Sequence, residues 1–413
     1  DLGRRPGIPR GRGPRPCAAN PSAMALTQEE LYRAIDDELS WSERDLPERV
    51  RTKHVHRLHP YLGKFIPQLV EELLRRHVAR GGRVLDPFAG SGTTLVQALE
   101  SGLDATGVDI AAFNCLLMDV KTRRYNLFGL EHDLRDVLGR YARGEGTAGR
   151  RSAYVRDWLA PQAASDLLRF RSLIGDYEHG DVLRVVLARA ARSARATTHF
   201  DLDFPRVPQR DPYWCHKHRR ECRPIDRAEH FLRRYTLDTL ARLKAFARVR
   251  TRREASIVHG DARAVELTGR FDAIVTSPPY PGLIDYHEQH RYAYELLGLD
   301  DRREREIGAA ASGTARGALA AYVDFLRHPE LMRVHRSNFT PTVAQIIGTS
   351  DCSAGVSCPS AATRTSNALV NCRCASGPPF QFFRNVSHAM ATDATASLPL
   401  APFPAHWTHS ANT

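Results

Sequence analysis

The stretch "GGRVLDPFAGSGTTLVQALESG", residues 81–102, decides the fold class. It reads as a short apolar strand, a tight glycine-rich turn and a helix. Gly90 and Gly92 allow the turn and let a ligand come close to the backbone. Asp86 ends the strand, the position at which open α/β sheets meet their ligands. Three more strands follow: "DATGVDI" ending at Asp109, "EASIVHGDAR" ending near Asp261, and "FDAIVTS" from Phe271. Short apolar strands alternating with helices predict an α/β chain with a parallel, doubly wound sheet. Upstream, "HPYLGKFIPQLVEELLRRHV" (59–78) predicts a helix with Pro67 in its first turn and Leu69, Val70, Leu73 and Leu74 on one face.

A glycine turn of this kind is compatible with a dinucleotide or phosphate loop. No Gly-Lys-Ser/Thr follows, so the P-loop lysine is missing. Asp109, at the end of the second strand, suits a ribose diol instead. The fourth strand stops in "TSPPYPG", residues 276–282, where two prolines cannot donate to a sheet ladder. By itself this is an ordinary strand-ending turn. It also sets a hydroxyl (Ser277) and an aromatic ring (Tyr280) around a rigid corner.

"DPFAGSGTT" followed by "SPPY" resembles the amino-group DNA methyltransferases, over about residues 59–294. The pairing is far more specific than either motif alone. The resemblance implies a Rossmann-like methyltransferase sheet, S-adenosylmethionine as cofactor and double-stranded DNA as substrate. It implies Phe65 and Pro67 near the methionine end, Asp86 near the methionine amino group, Asp109 on the ribose and Asp261 near the adenine edge. Pro87, Phe88, Gly90, Gly92 and Thr93 complete the cofactor turn. Ser277, Pro278, Pro279 and Tyr280 become a clamp for an extruded base. Ser at the first clamp position resembles the cytosine-N4 branch, with adenine-N6, an RNA base methyltransferase and an inactive DNA-binding homologue as alternatives.

The second and third strands are separated by roughly 145 residues, against the dozen or so that a crossover needs. A helical insertion at 125–250 is therefore expected, with target recognition as its role. It holds "DVLRVVLARAARSARATTHF" (181–200) and "HFLRRYTLDTLARLKAFARVR" (230–250). The divisions expected are a disordered basic extension at 1–23, N-terminal helices and the cofactor half at 24–124, the insertion, the catalytic half at 251–330 and an irregular tail at 331–413 that reads as aberrant or disordered. Met24 is expected as the natural start. In the tail only "TVAQIIGTS" (342–350) offers a strand, so a sheet left incomplete there would weaken activity.

The net charge of +12 and the excess of Arg over Lys suit a polyanionic partner, although coding bias gives the same excess. No long apolar run or secretory leader is read, so a cytoplasmic protein is expected. A cognate restriction endonuclease is the expected partner. Eight scattered cysteines make no secreted disulfide framework. "WCHKHRREC" (214–222) holds Cys215, His216, His218 and Cys222 without a recognised zinc spacing. A basic, aromatic DNA-contacting loop is favoured there over a metal site. "LIDYHEQHRYAYELLG" (283–298) reads as a helix, for core packing or for closing over the base.

Overall fold

The computed structural model describes residues 44–61, 64–199, 205–277, 279 and 284–307, together with the backbone of two short strands at 342–346 and 382–383. The expectations for residues 1–43, including the Met24 start, lie outside the described residues. So do those for the tail apart from these two strands.

Helix α1 (Pro67–His77) has Pro67 as its first residue, where the missing N–H costs nothing. Strand β1 (Arg83–Asp86) leads through the glycine turn into α2 (Thr93–Ser101), then β2 (Asp104–Asp109) and α3 (Ala112–Thr122). The helical insertion comprises α4 (Leu127–Ala142), α5 (Ala153–Trp158), α6 (Pro161–Leu173), α7 (Gly180–Ala194) and α8 (Glu229–Ala247). It also contains a separate hairpin, β3 (Tyr213–Cys215) and β4 (Arg220–Cys222). The sheet resumes with β5 (Ala255–His259) and β6 (Ala273–Thr276). The expected helix after the clamp divides into α9 (Tyr286–Gln289) and α10 (Arg291–Leu297), because His290 leaves helical geometry. Strands β7 (Thr342–Ile346) and β8 (Phe382–Phe383) extend the far edge.

The sheet order is β5-β2-β1-β6-β7-β8, all pairs parallel. The chain runs from β1 outward to β5, then returns to the other side of β1 with β6. The strand order reverses between β1 and β6, and such a switch point opens a crevice at the carboxyl ends of the strands. The expected strand in 342–350 pairs with β6 as Ala273↔Thr342 to Thr276↔Gln345.

Side chains alternate across the sheet. Val84 joins Val70, Leu73 and Leu74 of α1 in one apolar cluster, whereas Leu85 joins Val108 and Ile274 on the opposite face. The insertion shares a continuous core with the sheet helices. Phe113 and Leu117 of α3 pack in one cluster with Phe170, Val185, Val186, Leu243 and Tyr292. Arg189 of α7 is buried there against α8, with Asp238 Oδ2 at 2.5 Å and Thr239 Oγ1 at 2.7 Å.

Candidate active site

The carboxyl ends of β1, β2, β5 and β6 frame a cleft with about 780 Å³ of empty space, open solvent included. Ten of the residues expected from the sequence line it: Phe65, Asp86, Pro87, Phe88, Gly90, Thr93, Asp109, Asp261, Ser277 and Pro279. Pro67 and Gly92 do not. Pro67 is buried at the start of α1, and Gly92 caps α2 with φ +79°. A Cβ on Gly92 would meet Met118 Cγ at 2.8 Å. This glycine shapes the turn and leaves the wall to Gly90, whose own φ is +50° and whose added Cβ would meet Tyr61 Oη at 3.0 Å. Pro278 and Tyr280 lie outside the described residues.

Asp86 is 2% exposed and accepts the Phe88 amide at 3.1 Å. Burial pushes its carboxyl up to about 6, with hydrogen bonding to Thr94 and the Phe88 amide pulling the other way. Asp109 accepts N–H groups from Gly90 and Ala111, both at 2.8 Å, and from Asn114 Nδ2 at 3.1 Å. Its enclosure raises it to about 7 against those donors. A carboxylate has about four lone-pair sites, so three donors leave room for about one more.

Asp261 is differently placed. Burial would raise its pKa, but the Arg263 guanidinium outweighs it and the net shift is downward. Arg263 Nη2 and Nε lie 2.6 Å and 2.9 Å from its two oxygens. An adenine amino group at this edge would share the carboxylate with an arginine already held by it.

Tyr61, Lys64, Asn114, Tyr286 and Glu306 also line the cleft and were not singled out from the sequence. The Tyr61 ring stacks on Tyr286 at 5.6 Å and on His290 at 5.4 Å, and Asn114 Nδ2 donates to its hydroxyl at 3.1 Å. Lys64 donates to the His56 carbonyl at 3.2 Å, and its enclosure lowers its pKa to about 8. Asn114 carried a local signal, five positions beyond Asp109 on the first turn of α3. Tyr61 carried none that separates it from the other aromatics. Of the stretch after the clamp, His287, Tyr292 and Tyr294 are buried, which favours packing, while Tyr286 faces the cleft.

In the insertion the geometry changes one grouping. His199, Cys215, His218 and Cys222 bring one ligand atom each to within 4.8 Å of the others. His216, named from the sequence, is not part of that group, because the turn of the hairpin points position 218 and not 216 back between the cysteines.

A family model for DNA methylases of the N6/N4 type matches residues 28–118. The chain is 32% identical to the Type II methyltransferase M.MjaII of Methanocaldococcus jannaschii, in an alignment of 383 positions covering 72% of each chain. It is 23% identical to M.MvaI of Kocuria varians, over 61% of this chain and 59% of that one. It is 22% identical to M.BsoBI of Geobacillus stearothermophilus, over 70% of this chain and 62% of that one. Both are Type II methyltransferases as well. No solved structure matches. Among the described residues no helix is long and apolar enough to cross a membrane. The chain belongs to the amino-group DNA methyltransferases of restriction–modification systems, which take their methyl group from S-adenosylmethionine.

Proposed function

We propose that this chain methylates the exocyclic N4 of cytosine in double-stranded DNA, as the modification partner of a restriction endonuclease. The observation that carries the reading is Ser277, a hydroxyl rather than a carboxylate, on the cleft wall beside the carboxyl end of β1. The chain's own residues suit the cofactor. The buried Asp86 offers a negative charge to an ammonium, Asp109 keeps an acceptor site for a ribose hydroxyl, and Ser91 Oγ and Asn114 Oδ1 are buried at the wall without a hydrogen-bond partner. When bound, S-adenosylmethionine supplies an electrophilic methyl group on a sulfonium.

The protein's contribution is positioning. An exocyclic amine is a poor nucleophile because its lone pair is delocalised into the ring. Ser277 Oγ and the Pro278 carbonyl accept its hydrogens, so that nitrogen turns tetrahedral and presents the lone pair. Pro278 and Pro279 restrict φ, which holds both acceptors ready before the base arrives. Tyr280 gives an extruded base a face to stack on. The roles of Pro278 and Tyr280 rest on the sequence motif. No covalent enzyme intermediate is required. The insertion at 125–250 is assigned target recognition, supported by Trp214, 60% exposed, beside exposed Lys217, Arg219 and Arg220 on the hairpin.

The test is nucleoside mass spectrometry of DNA incubated with the protein and isotopically labelled cofactor. Labelled N4-methylcytosine supports the proposal. Labelled N6-methyladenine keeps the clamp and overturns the base. No label, with cofactor binding intact, identifies an inactive DNA-binding homologue.

A further inference from the structure

The hairpin formed by β3 and β4 has three residues per strand and pairs with no strand of the main sheet. A two-stranded ribbon of that size is marginal in water unless something else holds it. Cys215 is fully buried and Cys222 nearly so, yet neither joins the apolar clusters that form the core. Both thiols face imidazoles. Cys215 Sγ lies 3.5 Å from His199 Nδ1 and 3.6 Å from His218 Nδ1, and Cys222 Sγ lies 3.4 Å from His218 Nδ1.

Thiol–imidazole hydrogen bonding does not account for all three contacts. His218 Nδ1 presents either one hydrogen or one lone pair to two sulfurs, and His199 Nδ1 is approached by both Cys215 Sγ and the Tyr213 hydroxyl. A shared metal ion does account for them. Zinc takes thiolate sulfur at about 2.3 Å and imidazole nitrogen at about 2.0–2.1 Å. At a tetrahedral angle those bonds set sulfur and nitrogen about 3.5 Å apart, the separation found in each of the three pairs.

We propose that His199, Cys215, His218 and Cys222 bind one structural zinc ion. Two thiolates and two imidazoles in tetrahedral array form a closed site, with no position left for water, so its role is structural and not catalytic. Three ligands come from the hairpin: Cys215 on β3, His218 in the turn and Cys222 on β4. His199 comes from the segment beyond α7, sixteen positions upstream of Cys215. The ion therefore ties the ribbon to the helical insertion. Arg219, adjacent to His218, holds φ +51°, a conformation that non-glycine residues rarely adopt and that a ligated turn sustains. Tyr213 positions the segment that carries the fourth ligand, its hydroxyl accepting the His199 backbone N–H at 3.0 Å. The same hydroxyl lies 2.8 Å from His199 Nδ1, a hydrogen bond that ligation through this nitrogen replaces. As a consequence the exposed Trp214, Lys217 and Arg220 are carried on a fixed ribbon.

The experiment is metal analysis of the full chain purified without chelator, followed by X-ray absorption at the zinc edge. About one zinc per chain is expected, with two sulfur neighbours near 2.3 Å and two nitrogen neighbours near 2.0 Å. Cys222→Ser and His199→Ala should each reduce the metal content about tenfold, while His216→Ala retains it. The absorption spectrum of the unaltered protein reads the ligand set directly, so misfolding of a variant does not decide the matter. Protein that neither carries zinc nor takes it up overturns the proposal. So does a shell of oxygen and nitrogen alone, loss of zinc in His216→Ala, or a Cys215–Cys222 disulfide found by mass spectrometry.

Discussion

Two carboxylates and a hydroxyl at the ends of three strands are assigned separable tasks. Ser277→Ala should lower methyl transfer about a hundredfold through lost positioning and leave cofactor affinity nearly unchanged. Asp109→Ala should do the reverse, weakening cofactor binding first. Calorimetry of cofactor binding beside single-turnover methylation separates the two, and loss of cofactor binding in Ser277→Ala would remove the serine from the clamp. Asp86 adds a pH dependence. Its carboxyl rises from 3.8 to about 6 on folding because burial penalises the charge. The fold therefore prefers the neutral acid. The preference is fully felt below the unfolded value and is lost as pH climbs through about 6. Between pH ~4 and ~8 this group should cost the free protein about 3 kcal/mol. Urea titrations should show that Asp86→Asn abolishes that part of the slope and stabilises the free protein at pH ~8, while weakening cofactor binding through the lost charge. Asp86, Asp109 and Ser277 were legible because each follows an apolar run that ends abruptly. Tyr61 was not, since its place opposite Gly90 depends on a stack with Tyr286, more than 200 positions away.

At the scale of elements, the strand–turn–helix unit depends on two left-handed glycines in series. Gly92 tests this best because it does not touch the cleft. Gly92→Ala places a methyl group 2.8 Å from Met118 Cγ on a backbone at φ +79°. The conformational strain alone is about 1–2 kcal/mol. Denaturant unfolding should show at least that loss. A stability equal to the unaltered protein would mean that the turn relaxes freely. The turn itself was readable from local sequence, since only glycine takes such angles without strain. The hairpin was not readable as a unit. Tyr213–Cys215 and Arg220–Cys222 are too short to show a period-2 pattern, and the ligand grouping depends on where the turn directs each side chain. His216 and His218 are indistinguishable by spacing. His199 lies beyond any short motif.

The whole molecule carries a net charge of +12, which predicts DNA binding dominated by phosphate contacts and counterion release. The logarithm of the binding constant should fall linearly with the logarithm of salt concentration, with a slope of about −0.9 for each phosphate neutralised. Fluorescence titration over a range of salt concentrations measures it. Neutralising Lys217 and Arg220 together should flatten the slope by about 2. An unchanged slope would remove the hairpin from the DNA interface. The insertion was legible as an excess of chain length between two strands. Its packing was not. Helices α4 to α8 share one apolar core with α2 and α3, so this stretch is built into the methyltransferase body instead of forming a detached module.

The sequence by itself determined the elements and their chemistry. Backbone conformation at glycine and proline, apolar runs of strand length and the paired motifs are local properties, and they announced a parallel α/β sheet with acids and a serine at its strand ends. Only the tertiary structure decided which ends meet. Arg83 N donates to Asp272 Oδ2 at 2.7 Å across 189 positions, and β1 is paired along both edges, by β2 and β6, while its side chains are buried on both faces. That burial is a property of the assembled chain. It creates the switch point and turns Tyr61 and Asn114 toward Asp109, while outside the sheet the fold of the hairpin brings two cysteines and His218 to His199.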